Sequence, residues 1–288
     1  MYSGEFDYYR AKNVAEAAAL LRKHKNSKLL AGGHSLLPAM RLRLASPSAL
    51  VDIGGIRALS GIKARGKSLE IGSMTTHGEI AASQAVRKAC PVLAEAAAEI
   101  GDAQVRNRGT IGGSLAHADP GADYPTVLLA LGATLTAVGP KGKREIAVQK
   151  FFLDLFTTAL KAGEILTTIR VSGYGAGAGG SYVKHRHPAS SFAVVGVAAV
   201  LAVEEGKCGD VRIAVGGATS NPVRATAAEQ ALDGRRPDAS SIAAAAARVA
   251  EAIVDPMGDL YASGEYRTHL ATVLAKRALT TAIARARE

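Results

Sequence analysis

The stretch 28–42, KLLAGGHSLLPAMRL, decides the fold. Leu29 and Leu30 form a short buried-strand pattern, Gly32-Gly33 breaks it, and the apolar spacing that follows suits a helix. Strand, glycine turn and helix start therefore stand in sequence. Such a turn lets the backbone come close to an anion while the free N–H groups of a helix start face it, which suits a phosphate. A glycine pair alone is usually no more than a turn. The chemistry recurs, however, in Thr110-Ile111-Gly112-Gly113-Ser114, where a hydroxyl stands on each side of two glycines and Arg106 and Arg108 lie close by. Two such turns, without a GxGxxG or GxxxxGK[ST] pattern, point to a diphosphate gripped from two sides by a fold that is neither Rossmann nor P-loop.

Outward from the first turn, residues 14–25 have helical spacing after an Asn13 cap, and Leu50-Val51-Asp52-Ile53 reads as a strand, so residues 1–55 form a βαβ-type unit. Residues 56–175 read as a second subdomain: a hairpin over 62–72, two helical segments, a long loop over 107–125 rich in Gly, Asp and Pro, a helix and strand over 126–140, and a strand at 164–171. The glycine-rich stretch 172–180 reads as a linker. Residues 180–288 then supply three strands in an antiparallel meander followed by about three helices. No repeat of solenoid period is found.

Composition excludes several classes. The chain has 288 residues, 48% hydrophobic and 21% charged, which is globular. Its longest apolar run, Phe192 to Val203, is far short of the ~20 residues of a membrane-spanning helix. Charges at Glu5, Asp7 and Arg10 interrupt any export-like apolar stretch, so the expectation is a cytoplasmic protein. The net charge of +10 is scattered, aromatic residues are 5% and Trp is absent, which speaks against a nucleic-acid surface. Cys90 and Cys208 have no CxxC partner and cannot by themselves hold an iron–sulfur cluster or a structural zinc. Redox chemistry would have to come from an organic cofactor or a partner. His185 and His187 alternate on one strand without a third metal ligand in reach. His34 reads as a turn residue whose backbone binds, so neither a metal site nor a catalytic residue is expected.

Four stretches together resemble a known family: residues 31–44, AGGHSLLPAMRLRL; 106–125, RNRGTIGGSLAHADPGADYP; 182–199, YVKHRHPASSFAVVGVAA; and 216–232, GGATSNPVRATAAEQAL. They are similar to the FAD-binding medium subunits of molybdenum hydroxylases, most of all those of the carbon monoxide dehydrogenase type, over essentially the whole chain. The resemblance implies an α+β fold, a PCMH-type FAD-binding domain of two α/β subdomains plus a C-terminal domain with a three-stranded antiparallel sheet and a helical bundle. It implies that Ala31, Gly32, Gly33, His34 and Ser35, with Thr110, Ile111, Gly112, Gly113 and Ser114, hold the FAD pyrophosphate. Asp123 would contact the ribityl region, Leu166 would lie beside the flavin and Lys184 near the isoalloxazine edge. Phe192 stands where such subunits often carry a Tyr over the ring, which keeps an aromatic wall but removes a hydroxyl. Each has a structural alternative: Asp123 as a turn cap, Phe192 as core packing.

The resemblance also implies partners: a large molybdenum-binding subunit that oxidises the substrate and a small iron–sulfur subunit with two [2Fe-2S] clusters, assembled as a dimer of heterotrimers. Two rival classes stay open on the residues alone. A free-standing FAD-dependent reductase or oxidase would need its own nicotinamide site, and no dinucleotide fingerprint is present. A basic binding protein without a cofactor would lack flavin absorption.

Overall fold

A computed structural model describes residues 2–175 and 177–288; Ala176, within the glycine-rich stretch, lies outside the described residues. The first layer is a parallel sheet of β1 (Asp7–Arg10), β2 (Ser27–Leu30) and β3 (Ala49–Asp52) in the order β1-β3-β2. The connections carry α1 (Val14–Lys23) and α2 (Leu36–Arg41). Asn13 caps α1 by accepting from the Glu16 N–H, and Ala17 and Ala18 are buried. The central strand β3 is buried at Ala49, Leu50 and Val51, as a covered parallel strand must be.

The second layer is an antiparallel sheet in the order β4-β5-β10-β6-β7. Its hairpin, β4 (Ile62–Arg65) and β5 (Ser68–Gly72), leads into six helices: α3 (His77–Ala82), α4 (Gln84–Ala89), α5 (Pro91–Glu99), α6 (Ala103–Arg108), α7 (Ile111–His117) and α8 (Asp123–Leu131). The chain returns through β6 (Thr134–Gly139) and β7 (Gly142–Ala147), a small hairpin of β8 (Phe152–Asp154) and β9 (Thr157–Thr158), and β10 (Ile165–Ser172). The segment expected as a long loop is thus mainly helical. Asp102 caps α6 and Thr110 caps α7, each side chain accepting a first-turn N–H, so residues that read as turn formers are helix starts.

The third layer is the expected meander of β11 (Ala178–Arg186), β12 (Ala193–Glu204) and β13 (Lys207–Gly216), extended at its edge by the two-residue β14 (Val223–Arg224). Behind it lie α9 (Thr226–Leu232), α10 (Ala239–Ala247) and α11 (Gly264–Ala286). Strand β12 is apolar from Ala193 to Val203 because both of its faces are covered. Ala198 and Val200 join the core built around α5 and α8, while Val197, Ala199 and Leu201 join the core under α11. The glycine-rich stretch is no simple linker. Gly179 and Gly180 belong to β11, and a Cβ on Gly179 would run into the Ala282 carbonyl and Ala286 of α11. Among the described residues no helix is long and apolar enough to cross a membrane.

Candidate flavin site

The two glycine turns lie against each other. A Cβ on Gly32 would collide with the Arg108 carbonyl and stand 2.8 Å from the Gly109 Cα, and one on Gly113 would lie 3.6 Å from the Ala31 Cβ. The first turn leaves β2 and enters α2 through Gly33, whose φ of +79° is open to glycine at no steric cost. From Ala31 to Ser35 no backbone N–H finds an acceptor among the described residues, and the Ser35 side chain makes no cap. His34 and Ser35 are exposed. The result is a row of free donors beside a close approach of the two turns that only a glycine at position 32 permits, and such a donor row suits an anionic group.

The second turn is built differently. Its N–H groups are already engaged: Ile111 donates to the Thr75 carbonyl at 3.1 Å, Gly112 to the Ser73 carbonyl at 2.8 Å, and Ser114 to the Thr110 carbonyl at 3.0 Å. The Gly113 N–H donates to Thr110 Oγ1 at 3.1 Å. What this turn offers a ligand is the hydroxyls of Thr110 and Ser114 and the flat backbone of Gly113. Gly112 faces inward, where a Cβ would meet Ser73. Ser73 in turn donates its N–H to the Thr167 carbonyl at 3.0 Å, at a register shift of β10 beside the buried Leu166, so Leu166 is tied to the second turn through one residue.

From the second turn, α7 runs about 10 Å toward the loop 118–122. That loop ends at Asp123, which is 5% exposed and begins α8. Lys184 Nζ lies 2.8 Å from Asp123 Oδ1 and 3.1 Å from Oδ2, and the Tyr182 hydroxyl donates to Oδ1 at 2.6 Å. Burial pushes the Asp123 carboxyl up, and the ammonium and the phenol pull it back. The Lys184 side chain is 2% exposed, so its ammonium is not at a surface. Phe192, by contrast, is 42% exposed and packs on Gly121. Its ring is therefore a wall rather than core filling. The two turns and Leu166 thus lie at the start of α7, and Asp123, Lys184 and Phe192 meet beyond its end.

Three buried polar groups here carry no sequence signal. Ser73 Oγ, His77 Nδ1 and Tyr124 Oη have no hydrogen-bond partner among the described residues. Ser73 and His77 flank the second turn from behind, and the His77 ring lies edge-on to Tyr124 at 5.3 Å. Burial, with His34 and the Arg106 guanidinium acting in the same direction, lowers His77 to about 4, so the imidazole is neutral. His185 and His187 pack on Tyr261 instead of converging on a common point.

Residues 4–171 match the family described as the FAD binding domain in molybdopterin dehydrogenase. The chain belongs to this family. Residues 181–282 match the CO dehydrogenase flavoprotein C-terminal domain. Among curated relatives of this FAD-binding family, the chain is 39% identical to the carbon monoxide dehydrogenase medium chain of Hydrogenophaga pseudoflava, covering 99% of each. It is 36% identical to the 6-hydroxypseudooxynicotine dehydrogenase complex subunit alpha of Paenarthrobacter nicotinovorans, covering 98% of this chain and 96% of that one. The solved carbon monoxide dehydrogenase of Hydrogenophaga pseudoflava superposes with a TM-score of 0.96 at 41% identity, covering 99% of both chains. FAD, the ligand of the family, fits the residues present, since the free N–H row from Ala31 to Ser35 suits its pyrophosphate.

Proposed function

We infer that this chain is the FAD-carrying electron-transfer subunit of a molybdenum hydroxylase, and that FAD lies along the line from Ala31 to Phe192. The observation that carries the placement is the apposition of two glycine turns, one of which presents unpaired N–H groups from Ala31 to Ser35. Those N–H groups bind the pyrophosphate, and the Thr110 and Ser114 hydroxyls hold it from the other side. Ile111 anchors the second turn in the core while Gly112 and Gly113 keep its backbone flat. Phe192 walls the flavin ring, Leu166 on the central strand β10 lies beside the turns, and Asp123 and Lys184 brace the ring end.

Bound FAD supplies the exchange between single electrons from iron–sulfur clusters and an external acceptor. In this reading the clusters belong to a small subunit and the substrate is oxidised on a large molybdenum-binding subunit. The two printed relatives above are named for different substrates, carbon monoxide and a nicotine derivative, which supports placing substrate choice outside this chain. The division into 1–55, 56–175 and 180–288 belongs to the same proposal and is supported by the three separate main sheets. So does a cytoplasmic location, supported by two buried cysteines that form no disulfide. The test is the visible spectrum of the complex, with flavin bands near ~450 nm, followed by chromatography of the heat-released cofactor. FAD is expected; FMN, which lacks the diphosphate, or a colourless complex would overturn the reading.

A further inference from the structure

Residues 187–192 join β11 to β12 and carry Phe192 at their end. The loop is held in a shape that a free chain would not keep. Ser191 has a φ of +62°, a left-handed backbone that a serine adopts only when its surroundings impose it. Inside the loop the Ser191 N–H donates to the His187 carbonyl at 2.9 Å and the His187 N–H to the Phe192 carbonyl at 2.8 Å. The Ala193 N–H ties the loop to the start of α8 by donating to the Gly121 carbonyl at 3.0 Å.

Beneath the loop stands the Lys184 ammonium. It donates to Asp123 Oδ2 at 3.1 Å and to the Ser191 carbonyl at 2.8 Å, with Asp123 Oδ1 as a further charge contact at 2.8 Å. A buried ion pair adds little stability over apolar side chains of the same size, and what it does supply is fixed geometry. Here the geometry being fixed is the left-handed residue next to the exposed aromatic ring.

We propose that Lys184 is a positioning residue: charge-paired with Asp123, it grips the Ser191 carbonyl and so sets the Phe192 ring against the flavin. The proposal rests on the reading that the flavin ring lies at Phe192.

The experiment uses the full chain produced with its partner subunits. Lys184→Met alone strands a buried carboxylate, so the decisive variant is Lys184→Met combined with Asp123→Asn, which removes both charges together. Hydrogen exchange at the His187, Ser191 and Ala193 amides is expected to speed up by roughly tenfold or more while the rest of the chain keeps its protection. Flavin fluorescence of the loaded complex is expected to rise to the level of Phe192→Ala, and adding Phe192→Ala to the charge-removed variant is expected to raise it no further. Unchanged exchange in the 187–193 segment overturns the proposal whatever the flavin does. An additive rise in fluorescence also overturns it, because the ammonium would then act on the flavin by itself. Loss of the whole fold overturns it too, since a pair that holds only a loop is not needed by the cores. A Phe192→Ala variant with unaltered flavin fluorescence instead overturns the placement of the ring, and the exchange readout still decides whether Lys184 holds the loop.

Discussion

Gly33 and Gly112 occupy matching places in two similar motifs, yet a side chain would meet different things at each. At Gly33 a Cβ approaches only the flexible ends of Leu37 and Leu30, at 3.0 and 3.3 Å, so the local cost is the strained backbone, roughly 1–3 kcal/mol. Gly33→Val is expected to fold, melt a few degrees lower and lose flavin by roughly tenfold or more, because the branched side chain stands over the donor row. At Gly112 a Cβ meets Ser73, including its carbonyl oxygen at 2.6 Å, and backbone cannot step aside. Gly112→Val is expected to fail in folding rather than merely in binding. Flavin absorbance and thermal melts on the two variants separate the cases. His77, behind the same turn, makes the site sensitive to acid. Its folded value of about 4 lies below the ordinary 6.5, so the unfolded chain binds the proton more readily. Stability is then complete above pH 6.5 and lost as pH falls toward 4, by roughly 3 kcal/mol at most. Urea unfolding across pH 4.5–7 should show this slope in the native chain and a shallower one in His77→Leu.

At the scale of the element, α7 is the piece that joins the two ends of the site, and at seven residues it cannot stand alone. It is held by the buried Ile111 and Leu115, by its stop at Ala118 in the left-handed region with φ of 53°, and by its Thr110 cap. Thr110→Ala is expected to cost about 1 kcal/mol and to weaken flavin binding, since the Gly113 N–H loses its anchor; calorimetry and a flavin titration check both. The first turn was legible in the sequence because a strand, a glycine pair and a helical period follow one another within a dozen residues. The second was legible as a motif but not as a helix, because Thr110, Gly112 and Gly113 have the composition of a loop and only the cap geometry reveals a first turn. Gly179 and Gly180 read as linker for a similar reason: glycine marks close approach of backbones as readily as flexibility, and the helix that approaches lies a hundred residues away. Lys184 sits in a strand pattern of alternating basic residues, and nothing local distinguishes it from Arg186. Its counter-charge, Asp123, is 61 positions distant, so its burial is set by tertiary packing alone.

Across the whole molecule, the C-terminal helix is riveted to the flavin-binding half. Arg285 on α11 binds both oxygens of Glu95 on α5, at 3.0 and 3.1 Å, and also the Gly180 carbonyl at 2.7 Å, while the same carboxylate accepts the Tyr182 N–H. The partly exposed pair is worth about 1 kcal/mol or less, so Glu95→Ala should lower the melting temperature slightly, without splitting the transition, because the shared face of β12 still couples the cores.

The last expectation concerns the chain as part of an assembly. Its two cysteines are too few for any iron–sulfur cluster, and burial pushes the Cys90 thiol up to about 12, which makes it inert. In the proposed assembly electrons arrive from another chain and cross a surface close to the flavin. Exposed apolar side chains, among them Leu42, Leu44, Leu153, Phe156 and Leu260, are available to such a contact. Phe156 is next to the site, since its ring packs on His117 at the end of α7. Produced alone, the chain is expected to show no substrate-dependent dye reduction; produced with the large and small subunits, it should restore it, and omission of this chain should leave the other two able to reduce a dye that accepts electrons from the clusters directly. Substrate oxidation by the isolated chain would instead make it a free-standing reductase or oxidase, whose nicotinamide or substrate pocket would then have to be sought on this surface.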